Sequence, residues 1–228
     1  MATKRVLIGT PSKYGHLDVW FVNALRRTEK LCAERGIQIE PVFLSFDALV
    51  QRARNDIAAI ALQGGYDYLM FIDDDIEWDP EHVVMLLKHE VDCVGAAYRK
   101  KTDDHELYAV KMRLPVERDP SNGLWLVEGL GGGFMCLSRK AVQALWDASE
   151  EYENEGKVRR WIFDVCPVGR SLVGEDTLAC MKLAQLGFKV LLDPRITVTH
   201  IGPKKFQGDF AAYAVRLENE HKKRSAAK

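Results

Sequence analysis

The chain has 228 residues, of which 47% are hydrophobic and 29% charged, a balance typical of a globular protein with one well-packed core. Its formal net charge of −1 excludes binding to nucleic acid or a membrane surface through overall charge. The five cysteines are widely spaced and form no CxxC pair, which indicates reduced thiols and predicts a cytoplasmic location. We expect no secretory leader and no membrane anchor, because no apolar run reaches the required length.

The first ninety residues alternate between strand-like and helix-like patterns. The predicted elements are a strand at Val6–Thr10, a loop at Pro11–Gly15, a helix at Leu17–Arg35 ending at Gly36, a strand at Ile37–Leu44, a helix at Phe46–Gln63 capped by Ser45, a strand at Tyr68–Ile72 and a helix from Pro80 capped by Asp79. This order predicts a parallel, Rossmann-like sheet with right-handed crossovers. No G-x-G-x-x-G follows the first strand, which argues against a dehydrogenase-type dinucleotide site.

The second half of the chain mixes strands, turns and helices. The predicted elements are a strand at Val91–Tyr98, a mobile polar loop at Arg99–His105, strands at Tyr108–Met112 and Leu124–Leu130, a strand at Phe134–Leu137, a helix from Arg139 to about Glu155 capped by Ser138, a helix from Gly174 to Gly187, strands at Lys189–Leu192 and Ile196–Thr199, and a terminal helix from Asp209. We therefore expect one domain over residues 1–208, followed by a C-terminal helix and a frayed basic tail over 209–228.

Three consecutive carboxylates, Asp73, Asp74 and Asp75, follow the predicted strand Tyr68–Ile72. They fall at the carboxyl end of that strand, where open parallel sheets bind their ligands. The adjacent charges repel one another, and a divalent cation with a phosphate-bearing ligand would relieve that repulsion. A solvated acidic turn is the better explanation of an isolated run of aspartates, so the metal interpretation depends on the other motifs.

Three further motifs allow both a functional and a structural interpretation. Gly131–Gly133 permits a positive φ or close approach of the backbone to a ligand, and a bend or bulge is an equal alternative. Glu175 and Asp176 fall in the first turn of a predicted helix, where the helix dipole alone favours carboxylates. His200 lies at a predicted strand end, where a lone histidine is more often structural.

Taken in order, these motifs resemble those of GT-A-fold nucleotide-sugar glycosyltransferases, particularly small soluble members of glycosyltransferase family two. The motifs that carry the resemblance are Ala53–Asn55, Phe71–Asp75, Gly131–Phe134, Gly174–Asp176, Gly187–Val190 and His200–Gly202. The resemblance implies a Rossmann-like GT-A fold, with a mostly parallel central sheet, helices on both faces and a small antiparallel part.

The resemblance also implies a role for each motif. Asp75 would bind Mn²⁺ or Mg²⁺, Asp73 would face the ribose or the metal, and His200 would complete the metal shell or contact the diphosphate. Either Glu175 or Asp176 would serve as the general base towards the acceptor. The other positions that we expect beside the donor are Thr10, Pro11, Arg54, Asn55, Asp74, Gly132 and Gly133.

These residue types suit the transfer of a sugar from a UDP- or GDP-sugar to a hydroxyl group, and the resemblance favours inversion. A divalent ion clamped by carboxylates stabilises a departing diphosphate, and one imidazole in its shell shifts the preference towards Mn²⁺. Inversion needs a base to take the proton of the acceptor hydroxyl. The acceptor is open between a glycan and a modified nucleic acid, the latter suggested by basic groups near Lys157 and Lys222.

Two other functions fit parts of the pattern. A nucleotidyltransferase on a similar scaffold would also need a metal, but the Thr10–Gly15 segment lacks the glycine-rich loop typical of that class. A non-catalytic module that binds a nucleotide-sugar or a glycan would keep Asp75, and the Glu175–Asp176 pair argues against it.

Overall fold

The computed structural model describes residues 3–103 and 105–226. Residue 104 of the predicted Arg99–His105 loop lies outside the described residues. Residues 1–2 of the predicted domain 1–208 and residues 227–228 of the predicted C-terminal segment also lie outside them. The strands are β1 (Lys4–Ser12), β2 (Ile37–Ser45), β3 (Tyr68–Ile72), β4 (Ile76–Glu77), β5 (Cys93–Tyr98), β6 (Val110–Arg118), β7 (Trp125–Leu130), β8 (Phe134–Ser138), β9 (Glu151–Asn154), β10 (Lys157–Arg160), β11 (Cys166–Val168), β12 (Ser171–Val173), β13 (Leu191–Ile201) and β14 (Lys205–Phe206). The helices are α1 (Val19–Glu34), α2 (Val50–Gln63), α3 (Pro80–Lys88), α4 (Arg139–Ala148), α5 (Glu175–Gln185) and α6 (Phe210–Ala226).

The central sheet has the strand order β2-β1-β3-β8-β5-β13-β7-β6, with the short strands β4 and β14 paired to β13. Along this path, β7 and β8 are antiparallel to their neighbours, and the other six strands all run in the same direction. Two small hairpins, β9–β10 and β11–β12, stand outside the sheet. The predicted α/β class, with a mainly parallel central sheet and a small antiparallel part, is confirmed.

Helices cover both faces of the sheet, and the alternating side chains of β1 show how the two cores divide. Val6 and Ile8 point into the core shared with α1 and α3, whereas Leu7 points into the core shared with α2 and α4. Gly9 also faces α2, where a Cβ atom would come within 2.3 Å of the Ile57 side chain. The glycine therefore allows α2 to pack closely on the strand.

The predicted start of the second helix is wrong. Ser45 is the last residue of β2 and does not cap a helix. Phe46 has a positive φ of 65°, a left-handed backbone conformation that does not lead directly into a helix. Asp47 makes the side-chain hydrogen bond before the helix instead, because its Oδ1 accepts from the Leu49 backbone N–H at 2.9 Å. The helix α2 consequently begins only at Val50.

The predicted end of the fourth helix is also wrong. The helix α4 ends at Ala148, and the following residues form the hairpin β9–β10 instead of two more helical turns. The hairpin turns at Glu155 and Gly156, both with positive φ. Tyr152 stacks on Trp161 with ring centroids 4.1 Å apart, a contact that favours the extended form.

The predicted C-terminal helix is present as α6, which begins at Phe210 and packs on the sheet. Phe210 is fully buried, with its ring centroid 5.2 Å from that of Tyr108 and 5.9 Å from that of Trp125. Among the described residues, no helix combines the length and apolar character needed to cross a membrane.

Replacing Asp193 with asparagine is expected to destabilise the protein by about 1–3 kcal/mol at neutral pH, because a buried carboxylate loses charge-assisted hydrogen bonds. Asp193 is fully buried on β13 and accepts bonds from Arg195 Nε at 2.8 Å and from His89 Nε2 at 2.9 Å. Burial raises the pKa of Asp193, but the bonds from Arg195 and His89 outweigh it and hold the pKa below its usual value.

The carboxylate therefore contributes stability that is fully present above its unfolded pKa of about 3.9 and is lost as the pH falls through the lower folded pKa. Urea unfolding at pH 7 and below pH 4 checks this, with the exposed Asp147→Asn as control. The difference between wild type and Asp193→Asn should narrow in acid, and an equal difference at both pH values would contradict the assignment.

Candidate functional site

Three motifs that are far apart in the sequence meet around the guanidinium group of Arg54. Arg54 lies on α2 and is only 2% exposed. Its Nη2 donates to Asp73 Oδ1 at 2.7 Å, and its Nε donates to Glu175 Oε1 at 3.3 Å. Its Nη1 donates to the backbone oxygen of Gly132 at 3.3 Å. One side chain thus joins the aspartate run, the glycine run and the first turn of α5.

The fold brings these motifs together at the carboxyl end of β3. The last residue of β3 pairs with Phe134 of β8, and the Asp73 N–H continues the ladder by donating to the Gly133 oxygen at 3.2 Å. Burial opposes the charge on Arg54, but the carboxylates of Asp73 and Glu175 outweigh it and raise the pKa of the guanidinium. The group is therefore a permanent cation in a carboxylate-rich cleft.

The glycine run is explained by the need for small residues. None of Gly131, Gly132 and Gly133 has a positive φ, so of the predicted alternatives the positive φ does not apply. A Cβ atom on Gly132 would lie 2.8 Å from Arg54 Cζ, and one on Gly131 would lie 2.4 Å from the Tyr98 hydroxyl. The Gly133 N–H donates to the same hydroxyl at 3.1 Å. The glycines therefore let the backbone lie close to the side chains of Arg54 and Tyr98.

Gly132→Ala is therefore expected to destabilise the protein by about 1–3 kcal/mol, because the added methyl group pushes Arg54 out of its place. Urea unfolding measures the change. Gly174→Ala is the matched control, since the nearest atom to its Cβ position is Asp176 Oδ1 at 3.4 Å and its φ is −73°. The control should cost less than about 1 kcal/mol. Equal costs for both variants would contradict the packing explanation.

The two predicted base candidates differ in what they face. Glu175 is turned towards Arg54, as described above. Asp176 accepts N–H bonds from Gly132 at 3.0 Å and from Thr177 at 2.6 Å. It also borders a cavity of about 390 Å³, whose lining includes Lys100, Lys111 and Gly131. Of the pair, Asp176 is the carboxylate that the structure places beside a cavity.

Asp75 and His200 form a second part of the site, brought together by the pairing of β4 with β13. His200 Nε2 lies 3.4 Å from Asp75 Oδ1, and His200 Nδ1 lies 3.0 Å from the backbone oxygen of Arg99. A carbonyl oxygen only accepts, so Nδ1 carries a proton, and Nε2 is the ring nitrogen turned towards the Asp75 carboxylate. If a metal ion replaced the proton on Nε2, this nitrogen and Asp75 Oδ1 would both face it, as metal ligands do.

The same carboxylate already has a cationic partner, because the Lys101 ammonium group bonds to Asp75 Oδ2. Burial raises the pKa of Asp75, but the bonds from His200 and Lys101 outweigh it and keep the pKa below its usual value. Over residues 3–103 and 105–226, no group of three or more His, Cys, Asp or Glu side chains is arranged to hold a metal ion. Asp73 is turned to Arg54, so the structure offers two ligands, Asp75 and His200.

This pair fits a divalent cation in chemistry and in spacing. Neighbouring ligands of Mg²⁺ at about 2.1 Å lie about 3 Å apart in octahedral geometry, close to the observed separation. The hydrogen bond from His200 to the Arg99 oxygen fixes the ring orientation, as partners of metal-binding histidines do. Water and ligand phosphate oxygens commonly supply the remaining positions around such ions.

The other predicted donor-side residues lie outside the Arg54 network. Thr10 lies in β1, as predicted, whereas Pro11 also belongs to β1 instead of the predicted loop, and both are buried. The Thr10 hydroxyl has no hydrogen-bond partner among the described residues. Asn55 uses its side-chain amide to bond both backbone groups of Phe163, at 3.0 and 2.8 Å, which is a structural task. Burial raises the pKa of Asp74, whose backbone oxygen accepts a bond from Asp18 at 3.3 Å.

Sequence reasoning missed two residues of the site, Tyr98 and Lys101. Tyr98 was assigned only to a strand, although its position at the end of that strand is where ligand-binding residues occur. Lys101 was part of a polar loop with several charges, and no spacing rule distinguishes it from Lys100. Its partner Asp75 is 26 residues away, so only the folded chain reveals the contact.

No family model matches the chain, and no curated protein sequence matches it. Among solved structures it is similar to A197 from STIV, with a TM-score of 0.55 and 17% identity over 90% of this chain and 93% of that chain. Weaker similarities involve a glycosyltransferase involved in the glycosylation of the major capsid of PBCV-1 (TM-score 0.34, 7% identity, 60% and 62% coverage). Another is a CMP:2-keto-3-deoxy-manno-octonic acid synthetase complexed with CTP (TM-score 0.44, 12% identity, 97% and 99% coverage). The first similarity shows a shared fold, and the other two scores are too low to carry an argument about function.

Proposed function

We propose that this protein is a metal-dependent glycosyltransferase that moves a sugar from a UDP- or GDP-sugar to a hydroxyl acceptor. The observation that carries the proposal is the arrangement of Asp75 and His200, whose Oδ1 and Nε2 atoms lie 3.4 Å apart at the carboxyl edge of the sheet. The Arg54 network beside it supports the proposal, because it holds Asp73 and Glu175 in fixed positions.

Asp75 and His200 would hold Mn²⁺ or Mg²⁺, and the bound ion would supply Lewis-acid stabilisation of the departing diphosphate. Asp73 stays fixed by Arg54, with its second oxygen available to a ribose hydroxyl. Thr10 would offer the donor a buried hydroxyl that has no hydrogen-bond partner within residues 3–103 and 105–226. These residues bind and orient the donor, so the anomeric carbon is presented to the acceptor side of the cleft.

Asp176 is the proposed general base. Its carboxylate borders the cavity of about 390 Å³, where the acceptor hydroxyl would lie. The N–H bonds from Gly132 and Thr177 fix the orientation of the carboxylate while it accepts the hydroxyl proton. Direct attack by that hydroxyl on the anomeric carbon inverts its configuration. We propose a glycan as the acceptor, with a modified nucleic acid as the alternative.

A thermal-shift screen separates this function from a nucleotidyltransferase, because a ligand that binds the folded state raises its apparent stability. UDP-sugars, GDP-sugars and nucleoside triphosphates are each added with and without Mn²⁺. We expect a nucleotide-sugar to stabilise the protein only when Mn²⁺ is present. Stabilisation by triphosphates alone would favour a nucleotidyltransferase and overturn the proposal.

A further inference from the structure

Backbone hydrogen bonds around Lys101 and packing of its side chain against Gly202 position Lys101 in the site. It lies between β5 and β6, where Lys100 N–H donates to the Leu107 oxygen at 2.7 Å and Thr102 N–H donates to the Lys100 oxygen at 2.8 Å. Its aliphatic stem crosses Gly202, where a Cβ atom would lie 3.2 Å from Lys101 Cδ. The glycine leaves room for the stem, and the ammonium group reaches Asp75 Oδ2.

Asp75 is therefore paired with a cation before any metal arrives. A divalent ion on Oδ1 and an ammonium group on Oδ2 of one carboxylate repel each other strongly at such short range. Both side chains are about one-third exposed, at 33% for Lys101 and 34% for Asp75, so water can solvate the ammonium group once it leaves. Metal binding at Asp75 thus favours the release of Lys101.

Of the neighbouring carboxylates, Asp74 is close enough to attract the ammonium group, and two others already have cationic partners. Asp103 is paired with Lys204, and Glu77 is paired with Lys205 at 2.5 Å. A diphosphate bound at the metal would bring two or more negative charges into the same space. Phosphate oxygens attract an ammonium group as a point charge.

We propose that Lys101 is the counter-ion of Asp75 in the metal-free protein and that it couples metal binding to donor binding. It neutralises Asp75 in the metal-free protein and transfers to the donor diphosphate when a divalent ion takes its place. The inference rests on the metal site of the proposed function. By linkage, a metal that displaces Lys101 makes the diphosphate bind more tightly, and the diphosphate does the same for the metal.

The test is Lys101→Gln, measured by electron paramagnetic resonance of free Mn²⁺ and by calorimetric titration of UDP and GDP. Without nucleotide, we expect Mn²⁺ to bind about fivefold more tightly than to the wild type, because an exposed ion pair no longer competes for Asp75. With Mn²⁺ present, we expect the diphosphate to bind about fivefold more weakly. Lys204→Gln is the matched control, since it removes the same charge from a neighbouring, more exposed lysine.

Effects of opposite sign at Lys101, absent at Lys204, support the coupling. Mn²⁺ affinity that is unchanged in Lys101→Gln but lost in Asp75→Asn overturns the coupling and leaves the metal site intact. Tighter Mn²⁺ binding with unchanged diphosphate affinity also overturns it, since Lys101 would then have no role towards the donor. If Mn²⁺ binds neither the wild type nor Lys101→Gln, the metal site and the coupling both fail.

Discussion

Arg54→Met is expected to destabilise the protein by about 3–5 kcal/mol, because it leaves the carboxylates of Asp73 and Glu175 close together without their buried counter-charge. The methionine matches much of the arginine stem, so the loss reports the guanidinium group instead of a cavity. Urea unfolding at neutral pH measures the change. The same variant should also lose donor binding, since Asp73 and Gly132 are both held by Arg54.

Arg52→Met is the matched control on the same helix. Arg52 is 39% exposed in its side chain and pairs with Asp47 at 2.7 Å near the surface. Exposed ion pairs contribute at most about 1 kcal/mol, so the control should remain close to the wild type. Similar losses for the two variants would contradict the central position given to Arg54, because the effect would then follow from removing any arginine of α2.

Asp75→Asn is expected to lower Mn²⁺-dependent donor affinity by at least about 100-fold while leaving the unfolding free energy nearly unchanged. An amide keeps the shape of the side chain but loses the negative charge that a hard cation needs. Calorimetric titration of a nucleotide-sugar in the presence of Mn²⁺ measures the affinity.

Asp74→Asn is the control for this prediction, because it makes the same chemical change one residue away. Although the resemblance places Asp74 beside the donor, we interpret it as the structural member of the run, because its backbone oxygen accepts a bond from the Asp18 N–H. Its variant should bind the donor within about threefold of the wild type, as expected for a side chain outside the metal shell. Loss of donor affinity in Asp74→Asn, with Asp75→Asn unaffected, would contradict the assignment of the metal ligand.

Local patterns predicted much of the fold. The apolar run before Asp73 and the Asp79–Pro80 pair give β3 and the start of α3, because burial and capping depend on neighbours in the sequence. The position of β8 between β3 and β5, antiparallel to both, was not predicted, since pairing partners are chosen by packing over long separations. The hairpin after α4 was missed because helix propensity was extended beyond Ala148 without a cap.

The sequence named residues that lie together in the structure, but it did not show their contacts. Asp73, Glu175 and Gly132 were each named as site residues, and the structure joins all of them through Arg54. Sequence spacing could not show this, since Glu175 and Arg54 are 121 positions apart. Asn55 shows the opposite case, because its amide is taken up by the Phe163 backbone, a contact across 108 positions that no local pattern reveals.

We propose that the site breaks the bond between a sugar and a nucleoside diphosphate with the help of a divalent ion. Phosphorus NMR of the protein with UDP- and GDP-sugars and Mn²⁺ tests it directly, because the products identify the bond that is broken. We expect release of a nucleoside diphosphate that requires Mn²⁺ and disappears in Asp75→Asn. Formation of pyrophosphate from a nucleoside triphosphate and a sugar phosphate, with every nucleotide-sugar left intact, would contradict it.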